Sequence, residues 1–140
     1  MEQILDVVVY VGVGIIAMMI GYALIDLIIP VNFPKEIKEG NRAVGWLSAG
    51  IYTGLGFIIR GAIITLSAAN EHRGFLEGLK DTVIYVALGL VFFMVGYFLI
   101  DLVNRRFNFN EEIARGNEAA GIMVFGIFLG IALIVSGVIQ

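Results

Sequence analysis

The chain has 140 residues, 59% hydrophobic and 15% charged, with a formal net charge of −3 and a mean hydropathy of +0.94. Soluble domains carry about 25% charged residues, so this composition excludes an ordinary water-soluble domain and a disordered chain. The lack of a basic surplus excludes a nucleic-acid binder. With no cysteine and one histidine, it also excludes disulfides, thiolate metal centres and a multi-histidine site within one chain.

A membrane helix needs about 20 mostly apolar residues to cross roughly 30 Å of hydrocarbon, and four stretches meet that requirement. The first is Ile4 to Ile29. It carries Glu2 and Asp6 instead of a basic leading region, is long, and lacks a clear small-residue cleavage site. It therefore reads as a span and not as a cleaved signal. Gly14 and Gly21 share one face of it, and Tyr22 stands four residues before Asp26, within side-chain reach on a helix. In residues 30–42, Pro34 opens a short helical elbow that continues through Lys35 to Glu39. Gly40 suits the left-handed position that ends a helix, and Asn41 suits the cap of the next one.

The second span, Ala43 to Ala69, begins near Trp46, an interfacial anchor, and carries Gly50, Gly54 and Gly61 on one face. It also holds Arg60, the only basic residue well inside a span. Residues 70–81 form a polar connector in which His72 reads as a solvated loop residue. The third span, Thr82 to Val103, repeats the first with Gly89, Gly96, Tyr97 and Asp101. In residues 104–118, Glu111 to Arg115 form a second elbow, followed by Gly116 and Asn117. The fourth span, Ala119 to Ile139, carries Gly126, Gly130 and Gly137.

The two halves are copies. Asp6, Tyr10, Gly14, Gly21, Tyr22 and Asp26 recur as Asp81, Tyr85, Gly89, Gly96, Tyr97 and Asp101, an offset of 75. From Phe33 and Phe109 onward the offset is 76, so the second loop has gained one residue. Apolar composition alone does not reproduce Asp, Asn, Tyr and Gly in register. The organisation is thus 1–69, a first two-span repeat; 70–81, an outer connector; and 82–140, a second two-span repeat. The expected fold is all-α, an integral membrane four-helix bundle of two tandem repeats. Two spans per repeat give both repeats the same orientation, unlike the inverted repeats of many transporters.

Lys35, Lys38, Arg42, Arg105, Arg106 and Arg115 lie in the first and third loops, against Arg73 and Lys80 in the connector. The positive-inside rule then places both elbow loops in the cytoplasm and both termini outside.

Helix association in lipid rests on close packing of small residues. The glycines at 14, 21, 50, 54, 61, 89, 96, 126, 130 and 137 therefore read as packing faces. Their first use is within the bundle. The alternative is a subunit interface, and a unit with so little interior is expected to be a homo-oligomer.

Ionisable residues inside spans are costly and are functional candidates by default. Asp26 and Asp101, with Tyr22, Tyr97, Asn41 and Asn117, make two groups able to face each other across a pseudo-twofold axis. Carboxylate and amide oxygens replace a cation's water shell, and a desolvated carboxylate also carries a proton. The competing reading is structural: boundary markers and braces for the elbows. Arg60 is expected to snorkel outward or to pair with Asp6 or Asp81. No phosphate loop, nucleophile elbow, metalloprotease motif or dinucleotide fingerprint is present. The reading is of a non-enzyme with no cofactor and no metal.

Gly-Tyr-x-Leu-Ile-Asp-Leu at Gly21 to Leu27 and Gly96 to Leu102, with Gly-Asn-x-Ala-x-Gly at Gly40 to Gly45 and Gly116 to Gly121, resembles the YjfL-type family of bacterial inner-membrane proteins. The resemblance covers essentially the whole chain. It implies a four-helix inner-membrane protein and supplies no catalytic residue and no substrate, because that family is a domain of unknown function. Two functions follow as expectations. One is a permeation or transport unit for an ion, proton or small solute. The alternative is a structural or regulatory protein whose basic loops dock a cytoplasmic partner or an envelope-stress component.

Overall fold

The computed structural model describes residues 2–69 and 75–139, with side chains over 4–65 and 76–139. The order is α1 (Glu2–Ile28), α2 (Phe33–Lys38), α3 (Arg42–Ala69), α4 (Phe75–Val103), α5 (Phe109–Ala114) and α6 (Glu118–Ile139). Among the described residues there is no strand. Helix is the natural state for such sequences, because in hydrocarbon every backbone polar group must be satisfied within the segment. Four of the helices are long and apolar enough to cross a membrane: Ile4–Ile28, Arg42–Thr65, Leu76–Val103 and Glu118–Ile139. His72 lies outside the described residues.

The third span starts earlier than its apolar run. Helix α4 begins at Phe75, so the second half of the expected connector is helical. Glu77 in its first turn complements the helix dipole. The Thr82 hydroxyl donates to the Gly78 carbonyl at 2.9 Å, which ties the polar entry to the apolar body.

The short helices α2 and α5 are elbows with matching geometry. Asn32 caps α2 by accepting from the Lys35 N–H at 3.1 Å, and Asn108 caps α5 through the Glu111 N–H at 3.3 Å. Each elbow ends on a glycine at φ +79°, Gly40 and Gly116. The Asn41 N–H then donates to the Glu36 carbonyl and the Asn117 N–H to the Glu112 carbonyl, each at 2.9 Å. Such a glycine cap satisfies carbonyls that a helix end leaves open. Phe33 and Phe109 are fully buried beneath the elbows and pin them to the bundle.

The most extensive contact is between α3 and α6; α1 packs on α3, and α4 packs on both α3 and α6. Glycine sets the spacing of the central pair. A Cβ on Gly121 would sit 2.7 Å from the Ala43 Cα, and one on Gly50 would sit 2.9 Å from the Phe125 Cα. Gly54 faces the Phe93 ring and Ala132, and Gly61 faces Ser136. Gly14 faces Ile59, Gly21 faces Leu55 and Leu90, Gly89 faces Ile58, and Gly96 faces Ile131.

Gly126, Gly130 and Gly137 depart from the expectation of packing within the bundle. A Cβ on any of them meets nothing within 4 Å. The reason is the rotation of α6. It turns Gly121, Val124, Phe128, Ala132 and Ser136 inward, and its glycine stripe therefore points out of the chain. Helix α3 presents its stripe to α6, while α6 answers with a different face.

Candidate polar site at the elbow end

Six of the polar side chains singled out by the sequence, Tyr22, Asp26, Tyr97, Asp101, Asn41 and Asn117, stand toward the elbow end of the bundle, on α1, α4 and the turns that follow the elbows. They do not form one cluster. Asn41 serves the backbone: its side-chain nitrogen donates to Glu36 at 2.7 Å and to the Ile113 carbonyl of the other elbow at 3.0 Å. Its side-chain oxygen accepts from the Val44 N–H at 3.2 Å, capping α3. Asn117 repeats the carboxylate bond, to Glu112 at 2.7 Å, and caps α6 through the Ala119 N–H at 3.1 Å. With these bonds made, both asparagines act as corner braces, and their oxygens are not aimed at a shared cation site.

Tyr22 and Asp26 lie on one face of α1, both half-buried. The Tyr22 hydroxyl meets Ser48 Oγ at 3.3 Å. Its ring stacks on Tyr52, with centroids 4.7 Å apart, and meets Phe33 edge-on at 5.5 Å. Tyr97 repeats the stacking on Phe128, the counterpart of Tyr52, again at 4.7 Å. It lacks the hydroxyl partner, because Val124 stands where the first half has Ser48. The Tyr97 hydroxyl is consequently buried without a hydrogen-bond partner. One carboxylate oxygen of Asp26, Oδ1, is also buried and unpartnered, and Asp101 is half-buried on α4.

Between the two elbows lies a polar depression of about 350 Å³ lined by residues including Glu36, Glu39, Arg42, Arg115 and Glu118. Arg42 reaches across it to Glu118 at 3.3 Å, and the Trp46 indole N–H donates to the same carboxylate at 3.2 Å. Arg115 pairs within its own elbow, with Glu112 at 3.7 Å. Most of these charges are solvent-exposed, so each pair contributes about 0–1 kcal/mol. Their role is to set register between the elbows. Arg60 is exposed on α3 and Asp6 is exposed on α1; among the described residues no ion pair joins those two. Asp81 is half-buried on α4 and engaged in an interaction of its own.

Sequence reasoning missed Ser48, Tyr52 and the capping role of Asn32 and Asn108. The last had a readable signal, an Asn three residues before Lys35 or Glu111, at the spacing of a helix cap. The Tyr22–Ser48 contact had none, because it joins helices 26 positions apart.

Four long apolar helices, closed at one end by two braced elbows, define a transmembrane protein with four candidate spans. The chain belongs to the family described as Domain of Unknown Function (DUF350), which it matches over residues 1–139. It is similar to the UPF0719 transmembrane protein YshE of Bacillus subtilis (strain 168), with 22% identity over 96% of this chain and 93% of that protein. It is also similar to a UPF0719 transmembrane protein of Aquifex aeolicus (strain VF5), with 27% identity over 88% of this chain and 44% of that protein. This chain therefore spans less than half of the Aquifex relative. No solved structure matches. The resemblance to an uncharacterised membrane family holds at that level, and the family found is DUF350.

Proposed function

We propose that the chain is a homo-oligomeric permeation unit for protons or small cations in the bacterial inner membrane, without enzymatic activity. In this reading both elbows face the cytoplasm. One observation carries it: Asp26 Oδ1 is buried and unpartnered within a helix of membrane-spanning length. A carboxylate oxygen without a partner there is costly, and a cation passing along the helix would supply the partner it lacks. Asp101 supplies the same group on α4. The asparagines brace the elbows and do not line the path. Arg60, exposed on α3, snorkels toward the headgroups.

The alternative, docking of a cytoplasmic partner, draws support from the polar depression between the elbows. Its mixed charges suit a partner of mixed charge better than an anionic lipid surface.

Flux of protons and monovalent cations into liposomes tests the first reading. The wild type is expected to conduct and the Asp26→Asn/Asp101→Asn double variant to lose flux while keeping its helical content and native mass. Equal flux in the two removes the aspartates from the path. No flux in either, with partner binding abolished by Arg105→Glu, moves the function to the elbows.

A further inference from the structure

The α3–α6 interface is open-ended. In register, each residue of α6 corresponds to the residue of α3 that lies 76 positions earlier. Helix α3 uses the face of Leu47, Gly50, Gly54, Ile58 and Gly61, all buried. The matching face of α6 is Met123, Gly126, Gly130, Ile134 and Gly137, which is exposed except for the half-buried Gly130. Conversely, α6 packs through Gly121, Phe128 and Ala132, whose counterparts Gly45, Tyr52 and Gly56 are half-buried or exposed on α3. The two halves meet by unlike faces, and each half keeps the face its twin has used. An interface of unlike faces continues from one subunit to the next, closing into a ring where the rotation allows.

The elbows carry the same asymmetry, independently of the glycines. Asn41 donates to the Ile113 carbonyl of the other elbow, and Ile113 is 0% exposed. The counterpart carbonyl belongs to Ile37, which is 47% exposed, and the Asn117 amide makes no second-elbow bond among the described residues. Helix α4 tells the same story: Phe93 fills the space over Gly54, while Gly130, the counterpart of Gly54, has nothing over it.

We propose that the exposed glycine face of α6 takes a second copy of this chain, head to tail, in the arrangement that α3 makes with α6 inside the chain. Carried over by register, Gly126 meets Ala49 of the next copy, as Gly50 meets Phe125. Gly130 meets Gly56 and Met18 of the next copy, as Gly54 meets Ala132 and Phe93. Asn117 donates to the next copy's Ile37 carbonyl, as Asn41 donates to Ile113. A lipid tail fits the glycine stripe less well than a helix does, because small residues stabilise by letting a second backbone approach. This assembly is independent of whether the protein conducts.

The chain has no cysteine, so introduced pairs report without background. Full-length Gly126→Cys and Ala49→Cys chains, carrying different tags, are co-expressed and oxidised in native membranes. The mixed dimer is expected to form about tenfold or more faster than the pair Gly126→Cys with Phe98→Cys, because only a standing contact holds the thiols at high effective concentration. Phe98 is 61% exposed on α4 and serves as a collision control. A rate no higher than the control overturns the proposal. So does a dominant Gly126→Cys homodimer, which would mean a twofold interface of like faces. As a second test, Gly126→Leu places a bulky side chain on the proposed contact at an exposed position where a Cβ meets nothing within the chain. It is expected to reduce the native mass to that of the monomer with helical content unchanged, and an unchanged oligomer mass overturns the proposal. Flux plays no part in either readout, so failure here is separable from failure of the permeation reading.

Discussion

Tyr22 and Tyr97 hold the same place in the two halves, stacked at the same 4.7 Å on Tyr52 and Phe128. One hydroxyl is met by Ser48 and the other has no hydrogen-bond partner among the described residues. Gly45 and Gly121 diverge in the same way: one is open and the other lies against the Ala43 backbone. Local geometry has been kept in both halves, down to elbow glycines at the same φ of +79°. What differs is the surrounding each copy faces. Two hairpins of matching sequence pattern make matching internal contacts; their external contacts depend on which face meets the other hairpin.

Substitutions at matched positions test whether the two faces are used differently, and the largest effect is expected at the glycines. Gly121→Ala drives a methyl group into the Ala43 backbone, which cannot rotate away as a side chain can. Overpacking of that kind costs about 3 kcal/mol. Gly45→Ala has open space and is expected to change stability by about 0.5 kcal/mol or less. Denaturation of detergent-dispersed monomer followed by circular dichroism measures both. Equal losses would mean that the two faces are not used differently.

A smaller contrast lies at the elbows. Asn41→Ala removes a cap, a carboxylate bond and the cross-elbow bond to Ile113, an expected loss of about 2 kcal/mol. Asn117→Ala removes the cap and one carboxylate bond, an expected loss of about 1 kcal/mol. Unfolding midpoints of the two monomers should rank in that order; the reverse order would assign the bracing to the second elbow.

The smallest contrast changes sign. Tyr22→Phe gives up the Ser48 contact at about 0.6 kcal/mol, a typical value between membrane helices. Tyr97→Phe removes a buried, unpartnered hydroxyl, and a gain of up to about 1 kcal/mol is expected. A loss at Tyr97 would mean that the hydroxyl is satisfied after all, as by a buried water.

Much of this was legible in the sequence, and the reason is locality. Span lengths, the elbows, the glycine turns at Gly40 and Gly116 and the caps at Asn41 and Asn117 each depend on a few neighbouring residues. The start of α4 was not legible from hydropathy, because Phe75 to Asp81 is helical while carrying Glu77, Lys80 and Asp81. The use of the glycine stripes was not legible either. Gly50 and Gly126 carry the same pattern, and only the rotation of α6 about its own axis decides which of them packs inside the chain. Asp26 and Asp101 stood out as acids within spans, whereas the isolation of Asp26 Oδ1 is a property of its three-dimensional neighbours. That Asn41 and Asn117 donate to Glu36 and Glu112 was likewise not legible as against their facing Asp26 and Asp101, because both arrangements use the same residues at the same depth.

The pairing of α3 with α6 also bears on how the protein is made. Its hydrogen bonds join residues 72 to 76 positions apart, such as Trp46 to Glu118 and Arg42 to Glu118. During translation α1 and α3 are complete before α6 has been made, and the inward face of α3 then lacks its mate. For that interval Gly50 and Gly54 are bare to lipid or to a neighbouring nascent chain. The helix that covers them, α6, is made only after α4 and α5. The packing face of α3 thus waits uncovered, and the pace of synthesis between Ala69 and Glu118 sets for how long.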